Sequence, residues 1–130
     1  MELQKVVVGI LEKDNLFLGV SRRNNHNRIG LVGGKADNQE DTIDALIRET
    51  IEETGLIIIK ATLLDVREYA GYETYCYIIN EYQGELTPNE KLIEIGEGIC
   101  GFFDKSILCG DFCGDYNELI LQKYFEQKVK

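Results

Sequence analysis

Between Gly33 and Leu56 the chain reads GGKADNQEDTIDALIRETIEETGL, and no other stretch constrains it as much. Two consecutive glycines let the backbone approach a ligand closely or take positive φ. A helix follows. It opens near Asp41 as N-cap, with Asp44 in place of the usual Glu of a capping box. It closes at Thr54, with Gly55 as the residue just past its end. Asp44 and Arg48 stand in the favourable i, i+4 order. At about 100° per residue, Ile43, Leu46, Ile47, Thr50, Ile51 and Thr54 fall on one side, which is expected to face a core. Glu49, Glu52 and Glu53 fall on the other. Ala45 lies among them one turn earlier and leaves space for something to approach.

Three carboxylates at i, i+3 and i+4 repel one another, by roughly a few tenths of a kcal/mol per pair. They also crowd the half of the helix where the macrodipole disfavours negative charge. An all-oxygen cluster without histidine or cysteine suits a hard cation, Mg²⁺ or Mn²⁺. A solvated acidic face is the plainer alternative, and the helix taken by itself favours that alternative.

The flanking sequence describes a sheet. Residues 4–12, QKVVVGILE, are rich in β-branched side chains and read as a strand. Asp14-Asn15 is a turn signal, and Leu16 to Ser21 is expected to be the hairpin partner of the first strand. Arg22 to Arg28 is a polar loop with three arginines, either solvated or a rim that faces phosphate. Further strands are expected over Leu56 to Ala70, Glu73 to Tyr82 and Ile99 to Phe103. A loop is expected from Gly84 to Lys91, and Asp104 to Leu108 is a helical turn. A last helix starts at Asp115 or Asn117, with Leu119, Ile120, Tyr124 and Phe125 as its apolar face. Strands around one central and one terminal helix are expected to form an α/β or α+β sheet with helices packed against it, in a single domain spanning 1–130.

A chain of 130 residues, 44% hydrophobic and 28% charged, is sized for one core. Its net charge of −9 repels a nucleic-acid backbone, so polymeric DNA or RNA is not an expected partner. No apolar run is long enough to span a membrane, and the N-terminal residues do not form a signal peptide, so a cytoplasmic location is expected. Cys76, Cys100, Cys109 and Cys113 are then expected to be free thiols. Cys109 and Cys113 are the only suitably spaced pair for zinc, and they lack a second pair.

The central spacing is G-x₅-E-x₇-R-E-x₂-E-E-x-G, running from Gly34 through Glu40, Arg48, Glu49, Glu52 and Glu53 to Gly55. In this the chain resembles the Nudix hydrolases, whose signature it meets at every fixed position. Thr50 stands where the family prefers a bulky aliphatic residue. Val32 replaces a proline common before the glycine pair, and the chain has no tryptophan. The resemblance implies an α/β/α sandwich with a mixed sheet between helices. It implies Mg²⁺, for which Mn²⁺ can substitute, held by Glu49, Glu52, Glu53 and the Gly34 carbonyl. Glu40, Arg48 and Gly55 would be structural, with Arg48 orienting carboxylates by ion pairing and Glu40 as its partner. Glu52, Glu53 and a later acid would serve catalysis, with Glu97 the first choice for that acid and Glu94 the second.

The implied activity is hydrolysis of a nucleoside diphosphate linked to another moiety. A (d)NTP pyrophosphatase, acting on oxidised dNTPs among others and releasing NMP and pyrophosphate, is the favoured member. Dinucleoside polyphosphates, ADP-ribose or nucleotide sugars are alternatives, and a non-catalytic nucleotide sensor is a further one. Arg22, Arg23 and Lys35 are expected to meet phosphate. Tyr72, Tyr75, Phe102 and Phe103 are candidates to stack on a base. Family members are often homodimers.

Overall fold

The computed structural model describes residues 2–108 and 114–128. Seven strands form one sheet: β1 (Lys5–Ile10), β2 (Glu12–Lys13), β3 (Leu16–Arg22), β4 (Asn25–Lys35), β5 (Ile57–Tyr69), β6 (Tyr72–Gln83) and β7 (Cys100–Phe103). Four helices accompany them: α1 (Thr42–Thr54), α2 (Asn89–Glu94), α3 (Lys105–Leu108) and α4 (Gly114–Lys128). The strand order is β2-β3-β4-β1-β6-β5, with β7 on the other side of β3. The sheet is mixed, because β1 runs antiparallel to β4 and parallel to β6.

The first strand does not pair with β3 as a hairpin. The Asp14-Asn15 turn, with φ of 53° and 67°, joins β3 only to the two-residue β2. Positive φ at both central residues gives the twist that tight hairpins need, so the turn signal holds while its partner differs. The polar stretch from Arg22 to Arg28 is also more ordered than a loop. Its tip turns at Arg23-Asn24 and Asn25 already begins β4. Further on, the expected loop from Gly84 to Lys91 gives way to α2 at Asn89.

β4 is the spine of the sheet. Its first part pairs with β3, and Val32 to Lys35 pair with β1. Two cores fill the two faces. Val7, Val32, Leu46 and Ile79 belong to the core under α1. Ile10, Phe17, Cys76, Ile120 and Leu121 belong to the core under α3 and α4. This is the expected α/β/α sandwich. Among the described residues, no helix is long and apolar enough to cross a membrane. Cys76 and Cys100 are buried free thiols, while Cys109 and Cys113 lie outside the described residues.

Two helix faces differ from expectation. In α1 the buried residues are Ala45, Leu46, Thr50 and Thr54, whereas Ile51 is 45% exposed. The helix is rolled so that the row Ala45, Glu49, Glu53 turns toward β4, and Ala45 is core rather than open space. Apolar counting misses this because the strand opposite is glycine, which asks for no apolar partner. In α4, Tyr116, Asn117, Ile120, Leu121 and Tyr124 are buried, and Leu119 is exposed.

Candidate active site

The site is built where α1 meets the glycines of β4. Asp41 has the extended backbone of an N-cap but makes no side-chain cap bond. Gly55 takes φ 85° and closes the helix by donating its N–H to the Ile51 carbonyl. Gly34 faces Glu49 so closely that a Cβ there would lie 2.6 Å from the Glu49 carboxyl carbon. Only a residue without a side chain leaves room for that carboxylate. One residue earlier, the Gly33 N–H donates to Glu53 Oε1 at 3.1 Å.

Arg48 organises the acids around it. Its guanidinium donates to both oxygens of Glu40 at 3.0 Å, to Glu49 at 3.1 Å and to the Lys35 carbonyl at 3.1 Å. It also lies 3.5 Å from Glu52. Glu40 is thus the partner of Arg48 that the resemblance implied. Glu40 is held below the ordinary carboxylate range by this guanidinium and by the Asp37 N–H. Its Oε1 takes that N–H at 2.8 Å and fixes the loop entering α1.

Glu53 is pushed up to about 8, above all by burial. The Gly33 bond opposes the shift, while Glu49, Glu97 and Glu52 reinforce it by repulsion. Burial raises Glu49 too; Arg48 opposes this, and Glu52 and Glu97 add to it. Glu97 therefore belongs to the same electrostatic cluster, although it arrives from the segment between α2 and β7. Its Oε1 lies 3.2 Å from Arg23 Nη2. Glu94 is exposed on α2.

The chemistry of this donor set fits a hard divalent cation. It is all carboxylate and carbonyl oxygen, the acids repel one another, and glycine clears the approach to Glu49. As the side chains stand, no three His, Cys, Asp or Glu groups among the described residues are gathered closely enough to share one ion. Arg48 holds Glu49 and Glu52, and the Gly33 N–H holds Glu53.

A cleft of about 830 Å³ opens beside these acids. Glu53, Glu97, Gly34, Arg22, Arg23, Lys35 and Tyr72 line it, all of them residues singled out from the sequence. Lys35 Nζ lies 5.7 Å from the centre of the Tyr72 ring. Tyr75 and Phe102 are not brought there. Strand alternation turns Tyr75 to the α1 side, where its hydroxyl donates to Glu73, and Phe102 packs toward the same core. Phe103 packs into the core under α4.

Sequence reasoning did not find Tyr69, Tyr116 and Asn117, which also line the cleft. The rings of Tyr69 and Tyr116 are 5.2 Å apart and tilted by 49°. Asn117 is buried and donates from Nδ2 to the Leu108 carbonyl at 2.8 Å. One signal was available. Ala70 and Gly71, both at positive φ, make a two-residue hairpin that sets Tyr69 opposite Tyr72. Tyr116 and Asn117 reach the cleft only through the docking of α4.

Comparison with known proteins agrees with this geometry. A family model for the NUDIX domain matches residues 3–98, and the chain belongs to that family. It is similar to an ADP-ribose pyrophosphatase of Methanocaldococcus jannaschii, 44% identical over 92 residues, covering 65% of this chain and 54% of the relative. It is also similar to an 8-oxo-dGTP diphosphatase of Proteus vulgaris, 29% identical over 72 residues, covering 52% of this chain and 64% of the relative. The matches thus span between half and two thirds of these relatives. Among solved structures, a putative Nudix hydrolase family member from Chromobacterium violaceum superposes with a TM-score of 0.77 at 24% identity. That match covers 99% of this chain and 81% of the other, and it shows the shared fold.

Proposed function

We propose that the chain hydrolyses a phosphoric anhydride bond in a nucleoside diphosphate derivative, with Mg²⁺ or Mn²⁺ as cofactor. One observation carries this reading. Glu49 and Glu53 stand against the Gly33–Gly34 backbone and share a repelling cluster with Glu97, and Glu53 and Glu97 line a cleft rimmed by arginine and lysine. Glu49, Glu52, Glu53 and the Gly34 carbonyl would hold the cation, which when bound supplies Lewis acidity toward phosphate and offsets its charge. Arg22, Arg23 and Lys35 offer charge-assisted donors to the remaining phosphate oxygens. Tyr72 and Tyr69 offer ring faces to a base or sugar. Glu97, at the cleft wall, would take a proton from the attacking water as P–O cleavage proceeds.

Two substrate readings stand on separate observations. Cleavage of ADP-ribose draws on the relative of that name at 44% identity. Cleavage of a (d)NTP to NMP and pyrophosphate, oxidised dNTPs included, draws on the 8-oxo-dGTP diphosphatase relative at 29% identity. The experiment is turnover of a panel of dNTPs, 8-oxo-dGTP, ADP-ribose, dinucleoside polyphosphates and nucleotide sugars with Mg²⁺, with Mn²⁺ and with EDTA. Cation-dependent turnover of one class is expected. No turnover of any of them with either cation would sink the reading and leave the nucleotide-sensor alternative, which substrate binding without hydrolysis would support.

A further inference from the structure

The segment bearing Glu97 is fastened to β3 by an arrangement beyond what sheet pairing requires. The β3–β7 ladder ends at Val20 and Cys100. Past it, the Ser21 N–H donates to the Ile99 carbonyl at 2.9 Å, and the Ile99 N–H donates to Ser21 Oγ at 2.9 Å. Ser21 Oγ in turn donates to the Arg22 carbonyl at 3.0 Å. Gly98 lies flat on this serine. A Cβ at 98 would sit 2.5 Å from the Ser21 carbonyl oxygen and closer still to Oγ. On the far side of Gly98, the Glu97 N–H donates to the Leu92 carbonyl at 2.8 Å, which fixes the other end of the segment to α2.

We propose that Ser21 and Gly98 are positioning residues that act through Glu97, holding its carboxylate at the cleft wall facing Glu49 and Glu53. The inference rests on the role given to Glu97 above. Three consecutive residues, the last two of β3 and the first of its turn, then set the site. Ser21 clamps Gly98 and Ile99, Arg22 lines the cleft, and Arg23 meets the Glu97 carboxylate. The clamp and the Arg23 contact tie the Glu97 segment to the strand end that carries these arginines. A small displacement matters here, since misplacing a reacting group by about 1 Å can cost on the order of a hundredfold in rate.

The test is a double-mutant cycle on the full chain with its best substrate from the panel. Gly98→Ala should lower kcat by about 10- to 100-fold with KM nearly unchanged. In a Glu97→Gln background the same substitution should add almost nothing. Equal losses in both backgrounds would make the clamp merely structural and overturn the proposal while leaving the role of Glu97 intact. Undiminished turnover of Glu97→Gln alone would instead remove the role of Glu97, and with it this inference. A second measurement needs no turnover. Amide hydrogen exchange at Ile99 should speed up in Ser21→Ala while neighbouring β7 amides keep their rates. Unchanged exchange at Ile99 would overturn the clamp.

Discussion

Glu53 sits where a lone carboxylate is least stable as an anion. It is half-buried, it is repelled by Glu49 and Glu97, and a single backbone N–H opposes their effect. Removing its charge should therefore separate stability from function. Glu53→Gln is expected to melt no lower than the parent in EDTA at pH 9, because a neutral amide avoids the burial cost of the ionised acid. The same variant should lose about a hundredfold or more of its turnover, the scale of removing one designed electrostatic contact from an active site. Calorimetry and initial rates on the same sample check both halves. Gly34→Ala should act on a neighbouring residue in a different way. Its new methyl group displaces the Glu49 carboxylate, so cation affinity should fall by about tenfold or more, read from the Mn²⁺ electron paramagnetic resonance signal.

The helices are held to the sheet by a few specific ties. Asp65 on β5 is one. It is buried, its oxygens are 2.7 Å from Arg67 and 2.8 Å from Lys123 of α4, and these cations hold it down to about 2. Its folded value lies below its unfolded value, so the tie is complete above about pH 4. It is lost as pH falls through about 4 toward about 2. Arg67 and Lys123 are 37% and 45% exposed, which limits the contribution to about 1–2 kcal/mol. Urea unfolding should show the parent more stable than Asp65→Asn by that amount at pH 6, with the gap closing by pH 2.

Elements such as α1 were legible because their signals are local: apolar spacing, an acid cluster and a terminal glycine. Pairing was less legible. Nothing in KVVVGI says that its neighbours are β4 and β6 rather than the strand after the next turn. The roll of α1 was hidden for a related reason, since it depends on Gly33 and Gly34 lying opposite Glu53 and Glu49. Among the cleft residues, Arg22 and Arg23 were found from the polar stretch before the glycine pair, Lys35 and Glu53 from the central motif, and Glu97 from the family resemblance. Tyr116 and Asn117 were not, because their sequence surroundings describe only a helix start.

For the molecule as a whole, the acids of α1 and the net charge of −9 pull in one direction. Each gains from a bound divalent cation. If the site binds Mg²⁺ only in the folded state, a concentration of 100 times Kd should add about 2.7 kcal/mol to stability. The melting temperature should rise by several degrees. EDTA should reverse the shift, and the shift should be absent in Glu53→Gln. Scanning calorimetry with and without Mg²⁺, at constant ionic strength, separates this from general screening.

β4 joins two unlike ends of the site. Its far end turns back at the arginine-bearing tip, and its near end carries the two glycines under the carboxylates. The distance from Asn25 to Gly34 along one strand is about 30 Å at ordinary strand rise. Such a layout resembles a tool with a fixed handle and an exchangeable head. Residues of the tip beyond the Arg23–Glu97 contact can be replaced, lengthened or recharged while the root keeps its register with β1. New ligand preferences can then arise by drift at one end while the carboxylate-bearing end stays as it is.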